Sequence, residues 1–270
     1  MDQDNSPKKA YDNPRFLNSP SARPVRILSE YLEPEARFER YSIDDTIVFM
    51  GSSRACSPQQ AQDELARAKR EGGDLTAAKQ KVRLSHYYEA AQQLARRFTE
   101  WSKQLPQEHS RFVVCTGAGP GIMEAANRGA SDAKGVNIGL SISLPNEQLE
   151  NEYITRELTF EFHYFFMRKF WFIYLAKALI FFPGGFGTLD ELFEVLTLLQ
   201  TGKTRKYMPV VLFGKEFWEE VINFPALVEY GTIDAKDLDL ILITDSLDEA
   251  FEHITTHLDR FALDQPGGML

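Results

Sequence analysis

Short apolar runs alternate with amphipathic stretches along most of this chain. The apolar runs are predicted to be β-strands, and the stretches between them repeat apolar residues with the period of an α-helix. The predicted strands are residues 46–50, 111–116, 136–144, 178–182, 208–213 and 240–243, and the predicted helices are residues 25–40, 59–70, 77–103, 122–132, 162–176, 188–200, 218–230 and 247–261. This order predicts βαβ units and therefore an α/β fold, a doubly wound parallel sheet with helices on both faces.

The two ends of the chain differ from its centre. Residues 1–23 are polar and contain three prolines, which predicts a disordered N-terminal tail. Residues 24–45 are predicted to form a helical extension that packs either on the body of the protein or on a partner subunit. One domain is predicted over residues 46–262, followed by a C-terminal tail of residues 263–270.

The composition narrows the class of protein. With 270 residues, 43% hydrophobic and 26% charged, the chain is long enough for one α/β domain with a sizeable core. Its net charge of −9 argues against nucleic-acid binding, which favours a basic surface. The two cysteines suggest neither a disulfide framework nor a metal cluster, and the sequence shows no signal peptide and no run that could span a bilayer. We therefore expect a cytoplasmic protein with no nucleic-acid and no membrane partner.

A glycine-rich turn carries the most specific chemistry. Residues 183–191 read Pro-Gly-Gly-Phe-Gly-Thr-Leu-Asp-Glu and follow a predicted strand directly. A turn from a strand into a helix N-terminus brings free backbone N–H groups and the positive end of the helix dipole together, which suits phosphate. The residues predicted to hold that phosphate are Gly184, Gly185, Gly187 and Thr188. The carboxylate of Glu191 would then lie close to whatever the phosphate is attached to.

A structural interpretation of the same turn stays open. Thr188 and Glu191 have the spacing of a capping box, with Thr188 as the N-cap and Glu191 three residues later. A capping glutamate needs no substrate. The three glycines favour the anion site, because a simple cap does not require them.

Two further turns with glycine follow predicted strands, at residues 51–53 and 117–121. Because the carboxyl ends of parallel strands share one edge of a sheet, all three turns are expected to meet there. A dinucleotide site would need an acidic residue at the end of the third strand, which instead reads Ser143-Leu144-Pro145. This favours a mononucleotide over NAD. The alternative for residues 117–121 is close packing of a helix on a strand.

Arg168 and Lys169 lie inside an aromatic run, residues 162–172. The structural interpretation is that their stems pack while their charged ends reach solvent. However, their predicted helix leads into the strand before the phosphate turn. Its first half is therefore in a position to face the same cleft.

Together these motifs resemble the LOG (Lonely Guy) family, the cytokinin riboside 5′-monophosphate phosphoribohydrolases, long labelled "possible lysine decarboxylase". The family motif Pro-Gly-Gly-x-Gly-Thr-x-x-Glu is matched in full by residues 183–191, and its upstream Arg-Lys pair by Arg168 and Lys169. The turns at 51–53 and 117–121, the latter followed by Ile122-Met123-Glu124, are also similar. The resemblance covers residues 46–261.

The resemblance implies a Rossmann-like nucleotide-binding catalytic domain over residues 46–262 and a homodimer or higher homo-oligomer. It implies a hydrolase of the AMP nucleosidase type, which splits AMP or an N6-modified adenosine 5′-monophosphate into purine base and ribose 5-phosphate without a cofactor or metal. Arg168 and Glu191 are the implied catalytic pair. The implied substrate-binding residues are Gly51, Ser52, Gly117, Gly119, Gly121, Glu124, Met167, Lys169, Gly184, Gly185, Gly187 and Thr188.

This chain departs from the family pattern in several places. It has the N-terminal extension up to residue 45, an insertion near residues 57–82, Ala118 in place of the usual glycine, and Asp190 in place of a common glutamate. These departures bear on the oligomer and on the base preference. The alternative function is a non-catalytic carrier of a nucleotide or a molybdopterin-type cofactor, and a weaker one is an oligomeric scaffold that uses residues 25–40.

Overall fold

The computed structural model describes residues 8–105, 110–143 and 151–268. It contains a seven-stranded sheet with the strand order β4-β3-β2-β1-β5-β6-β7, and every neighbouring pair in it is parallel. The strands are β1 (Thr46–Met50), β2 (Val113–Thr116), β3 (Asn137–Ile142), β4 (Thr159–Phe162), β5 (Ala176–Phe181), β6 (Val210–Phe213) and β7 (Ile241–Thr244). The predicted parallel α/β fold is confirmed.

Ten α-helices in the described ranges surround this sheet. They are α1 (Pro14–Leu17), α2 (Arg23–Arg40), α3 (Pro58–Glu71), α4 (Leu75–Ser102), α5 (Ile122–Asp132), α6 (Phe165–Tyr174), α7 (Phe186–Gln200), α8 (Lys215–Val221), α9 (Phe224–Glu229) and α10 (Leu247–Phe261). None of these helices is both long enough and apolar enough to cross a membrane.

Both faces of the sheet are buried. Along β1, Val48 and Met50 belong to one hydrophobic core while Ile47 and Phe49 belong to the other. The first core packs against α2, α6, α7, α8 and α9, and the second against α4, α5 and α10. Burial on both faces is why the strands read as continuous apolar runs instead of alternating ones.

The strand order reverses at β1. From β1 the chain builds outward through β2, β3 and β4 on one side, and then returns to add β5, β6 and β7 on the other. The segment after β1 leads to α4 on the second core, whereas the segment after β5 leads to α7 on the first core. The two segments therefore diverge at the carboxyl ends of β1 and β5, which leaves a crevice where α/β proteins bind ligands.

The helix predicted over residues 162–176 is wrong at both ends. Residues 159–162 form β4, in which Phe160 and Phe162 are buried while Glu161 is exposed. This alternation has the period of a strand, but only Phe162 falls inside the predicted helix, and residues 159–161 belong to no predicted element. At the other end, β5 already begins at Ala176.

The helix predicted over residues 218–230 is two helices. The chain leaves helical geometry at Ile222, and α9 starts after Asn223, whose side chain accepts a hydrogen bond from the Ala226 N–H at 3.1 Å. Pro225 lies in the first turn of α9, where its missing N–H costs nothing. A proline in the middle of one long helix would have removed a hydrogen bond.

The predicted N-terminal tail is folded over the part that the structure describes. Residues 8–22 form short helical turns, in which Asn13 accepts hydrogen bonds from the N–H groups of Arg15 and Phe16. Arg26 of α2 donates to the carbonyls of Leu17 and Ser19. Side-chain caps of this kind supply the order that a polar composition alone does not indicate. Residues 1–7 lie outside the described ranges, as do Leu144 and Pro145.

Candidate active site

A cleft of about 590 Å³ lies in the crevice at the carboxyl ends of β1 and β5. Its walls come from the turns after β1, β2 and β5 and from one face of α6, so the three predicted turns do meet. The lining residues are Met50, Gly51, Ser52, Ser53, Arg54, Gly117, Met123, Arg168, Phe172, Gly185, Phe186, Gly187, Thr188, Leu189 and Glu191.

Backbone hydrogen bonds lock the three turns together. The Ser52 N–H donates to the Pro183 carbonyl at 2.9 Å, and the Ile122 N–H donates to the Ser52 carbonyl at 3.1 Å. Gly121 has a φ of +73°, and a Cβ atom there would lie 2.3 Å from the Ser52 carbonyl oxygen. Gly121 is therefore required for packing, as the structural interpretation of this turn proposes.

Helix α7 begins earlier than the sequence suggests. Its N-cap is Gly185, so Thr188 is the third helical residue and does not cap the helix. The capping box predicted for Thr188 and Glu191 is therefore wrong, and Glu191 lies a full turn inside the helix. Because the first intrahelical bond is donated by Leu189 to the Gly185 carbonyl, the N–H groups of residues 186–188 are left for another acceptor. The first turn also contains no acidic side chain, so a bound anion would complement the helix dipole.

Two glycines of the turn have no structural reason to be glycine. A Cβ atom at Gly185 or Gly187 would meet nothing within 4 Å in the described structure, and neither residue has a positive φ. Gly184 is different, because its Cβ atom would lie 2.1 Å from Thr188 Oγ1. Since Gly185 and Gly187 line the cleft, their missing side chains leave room for a ligand to approach the backbone.

Glu191 is a buried carboxyl group without full compensation. It is only 4% exposed, and none of the described residues hydrogen-bonds its Oε2 atom. Burial raises its pKa to about 7, although Lys169 and Arg168 partly oppose the shift. A carboxyl group that exchanges its proton near neutral pH inside a cleft is typical of functional sites.

Arg168 faces Glu191 across the cleft. Its Nη2 atom lies 3.9 Å from Glu191 Oε1, which is an ion pair at long range. Its guanidinium group also lies 5.1 Å from the centre of the Phe165 ring and 5.6 Å from that of Phe172. Aromatic walls reduce the access of water, so the charge of Arg168 acts more strongly on its neighbours than a surface charge would.

Other predicted residues lie beside the cleft with partners of their own. Lys169 forms ion pairs of 2.8 Å with both Asp190 and Glu194 of α7. The Glu124 carboxylate accepts a hydrogen bond of 2.7 Å from the Tyr88 hydroxyl. Met167 belongs to the first hydrophobic core, and a Cβ atom at Gly119 would lie 2.7 Å from the Met123 methyl group. A direct role for these residues in binding stays a prediction.

Seven of the lining residues were not among the predicted site residues: Met50, Ser53, Arg54, Met123, Phe172, Phe186 and Leu189. Some of them had a signal in the sequence. Phe172 follows Arg168 by four residues and therefore shares its helix face, and Arg54 directly follows the Gly51–Ser53 turn. Met123 belongs to the Ile122-Met123-Glu124 segment that resembles the family, but its own place in the cleft was not predicted.

A comparison with family models gives one match. The family described as possible lysine decarboxylase matches residues 123–254. This range is a little under half of the 270 residues, so the match shows similarity to the family over these residues. The LOG resemblance is thereby confirmed, and the matched range contains Arg168 and the whole turn 183–191. The turns 51–53 and 117–121, which complete the cleft, lie before that range.

Three solved structures are similar to the chain over most of its length. The molybdenum cofactor binding protein from the phototrophic bacterium Rippkaea orientalis is 18% identical with a TM-score of 0.49, covering 78% of this chain and 96% of that one. A structural genomics target is 18% identical with a TM-score of 0.49, covering 78% of this chain and 99% of that one. The Moco carrier protein from Chlamydomonas reinhardtii is 16% identical with a TM-score of 0.42, covering 80% of this chain and 99% of that one. At this similarity none of the three bears on what this chain binds. No curated protein matches it.

Proposed function

We propose that this protein is a hydrolase that cleaves the N-glycosidic bond of a purine nucleoside 5′-monophosphate, such as AMP or an N6-modified adenosine 5′-monophosphate. The products are the free base and ribose 5-phosphate. The observation that carries the proposal is the state of Glu191, which is buried in the cleft with one oxygen unbonded among the described residues and a pKa near 7. Such a group is suited to proton transfer at neutral pH.

The 5′-phosphate would bind at the start of α7. Its acceptor oxygens match the N–H groups of residues 186–188 and the hydroxyl of Thr188, and Gly185 and Gly187 leave space for it. The phosphate is remote from the bond that breaks. Its binding energy would hold C1′ of the ribose near Glu191, so nucleosides without the phosphate are expected to be poor substrates.

The chemistry follows from the charge that develops on the ribose. When the C1′–N bond breaks, its electron pair leaves with the base and C1′ becomes cationic. The ionised Glu191 would stabilise that cation and take a proton from the water that attacks C1′. The departing purine takes up one proton from solvent, and Glu191 returns its proton to solvent, so the reaction consumes one water and leaves Glu191 ionised. Arg168 lowers the pKa of Glu191 and so favours the ionised form that this step needs.

A carrier that binds a phosphorylated ligand without turnover would use the same turn. It would have no use for a buried carboxyl with an unpartnered oxygen, which costs folding stability. Incubation with AMP and chromatography of the products separates the two functions. Release of adenine with an equal amount of ribose 5-phosphate supports the hydrolase, whereas AMP that binds tightly but is recovered intact identifies a carrier.

We further propose that the protein is a homodimer or higher homo-oligomer. Four aromatic side chains of α6 and α7 are strongly exposed: Phe165, Phe166, Phe186 and Phe193, at 50%, 53%, 92% and 42%. Exposed apolar groups of this size in one region are typical of an interface. Light scattering should give at least twice the chain mass, and Phe166→Asp should lower it. A monomeric wild-type protein excludes the assembly.

A further inference from the structure

The N-terminal extension contacts the helix that carries Arg168. In α2, Tyr31 packs against Trp171 of α6 with ring centres 5.6 Å apart, and Phe38 packs against the same ring at 5.3 Å. The Trp171 indole N–H donates to the Glu30 carbonyl at 3.0 Å. The extension therefore lies on the body of the protein, against the outer face of α6.

Glu30 reaches the start of α6 with its side chain. One carboxylate oxygen accepts a hydrogen bond from the His163 N–H at 2.8 Å, and the other accepts one from the Tyr164 N–H at 3.2 Å. Tyr164 is the N-cap of α6 and offers no side-chain cap of its own, and the first turn of the helix has no acidic residue. Glu30 thus supplies from another element the negative charge that a helix N-terminus favours.

A short chain of bonds leads from Glu30 to the candidate active site. The Tyr164 residue that donates to Glu30 also accepts, through its carbonyl, the N–H of Arg168 at 3.2 Å. Arg168 is the fourth residue of a helix of ten, so a shift at Tyr164 moves it directly.

Arg37, two turns further along α2, fixes the approach to this helix. Its guanidinium group donates to the carbonyls of Glu157 and Thr159 at 3.0 Å each, and it stacks on the Phe160 ring at 3.9 Å. Since β4 begins at Thr159, α2 holds the chain both where β4 begins and where α6 begins.

We propose that Glu30 is a positioning residue for Arg168, through which the N-terminal extension sets the distance between Arg168 and Glu191. This inference rests on the proposed hydrolase function. A displacement of about 1 Å in a catalytic group can cost on the order of a hundredfold in rate, so the hydrogen bonds of Glu30 have a direct consequence for turnover.

The test compares Glu30→Gln with Glu39→Gln, an exposed glutamate on the same helix. In Glu30→Gln we expect kcat for AMP hydrolysis to fall roughly 10- to 100-fold with KM changed less than about threefold, because positioning and not binding is lost. Since Arg168 lowers the pKa of Glu191, the rising limb of the pH–rate profile should also move to higher pH. The control Glu39→Gln should match wild type in kcat and in the pH–rate profile.

A purely structural role gives a different result, namely a lower melting temperature with unchanged kcat and pH profile, and this would overturn the proposal. Hydrogen exchange of residues 163–171 provides a readout independent of activity. In Glu30→Gln the backbone amides of residues 163–171 should exchange faster than in wild type, while those of the sheet strands should keep their protection. Unchanged protection of residues 163–171 also overturns the proposal. If wild type releases no adenine, the hydrolase function fails by itself and hydrogen exchange alone decides whether Glu30 holds α6.

Discussion

The two ends of the sheet both bury charged side chains, but only one end provides partners for all of them. At the amino ends of the strands, Asp45 is fully buried. One of its oxygens pairs with Arg111, and the other lies 3.4 Å from the Lys177 ammonium and accepts the Gly267 N–H at 3.1 Å. At the carboxyl ends, Glu191 is nearly as buried, yet no described residue hydrogen-bonds its Oε2 atom.

The cations around Asp45 have further bonds that explain this arrangement. Arg111 donates to the carbonyls of Ala262 and Leu263, and Lys177 donates to the carbonyl of Gln265 at 2.7 Å. The network ties the residues after α10 to the bottom of the sheet. A buried charge with complete partners holds the fold together, whereas a buried charge left incomplete indicates where a ligand or a proton is expected.

The largest expected effect is on turnover. Glu191→Gln keeps the size of the side chain and removes its charge, so release of adenine from AMP should fall by about two to four orders of magnitude. In Arg168→Ala the release of adenine should fall by a similar factor. The matched control is Glu194→Gln, one turn along α7 and paired with Lys169, which should stay within a few-fold of wild type. A near-normal rate in Glu191→Gln removes it from the mechanism.

The opposite end should respond in stability instead. Asp45→Ala leaves the Arg111 and Lys177 charges buried and uncompensated, which should lower the free energy of unfolding by about 3–5 kcal/mol. The measurement is urea denaturation, with the exposed Asp259→Asn on α10 as the control. If the folded fraction of Asp45→Ala also loses turnover per molecule, the two ends are coupled and the comparison fails.

The pH dependence of stability tests the surroundings of Glu191 directly. The pKa of Glu191 rises from 4.5 to about 7 on folding, so the native state binds more protons than the unfolded state between these values. The contribution of this group to the free energy of unfolding is therefore full below pH 4.5, is lost as the pH rises to about 7, and does not change further above that. Replacing Glu191 by Gln removes this decline.

At pH 8 the variant Glu191→Gln should consequently be more stable than wild type by about 3 kcal/mol, and at pH 4 the difference should vanish. Denaturation curves at a series of pH values measure this directly. Two parallel stability profiles would show that burial does not perturb Glu191. A gain in stability together with a loss of turnover is the behaviour expected of a functional carboxyl group.

Much of the fold could be predicted because burial on both faces leaves a simple pattern in the sequence. The parallel strands and the meeting of the three turns followed from apolar runs and from topology. Strand β4 was missed because its four residues are too few for a clear alternation, and its last residue, Phe162, was assigned to the following helix. The predicted start of α7 was too late because Thr188 is a residue type that often caps helices, whereas the N-cap in the structure is Gly185.

The contribution of Glu30 lay beyond any local pattern. Its two hydrogen bonds reach backbone N–H groups that are 133 and 134 positions further along the chain. A glutamate on the polar side of an amphipathic helix is expected to be exposed, so the sequence does not indicate its tertiary partner. The same limit applies to the turn 183–187. Gly184 and Gly185 are indistinguishable in the sequence, and only their surroundings in the fold separate a packing role from a binding role.

The smallest expected effect tests that last distinction. In Gly184→Ala the new Cβ atom would lie 2.1 Å from Thr188 Oγ1, so we expect a loss of about 1–3 kcal/mol in unfolding free energy. In Gly185→Ala the new methyl group meets no protein atom within 4 Å, and stability should stay within about 0.5 kcal/mol of wild type. The methyl group instead occupies space in the cleft, so the Kd for AMP, measured by calorimetry, should rise about tenfold, equivalent to about 1.4 kcal/mol. Unchanged affinity in Gly185→Ala would place the phosphate elsewhere and would leave the open side of this turn without a ligand.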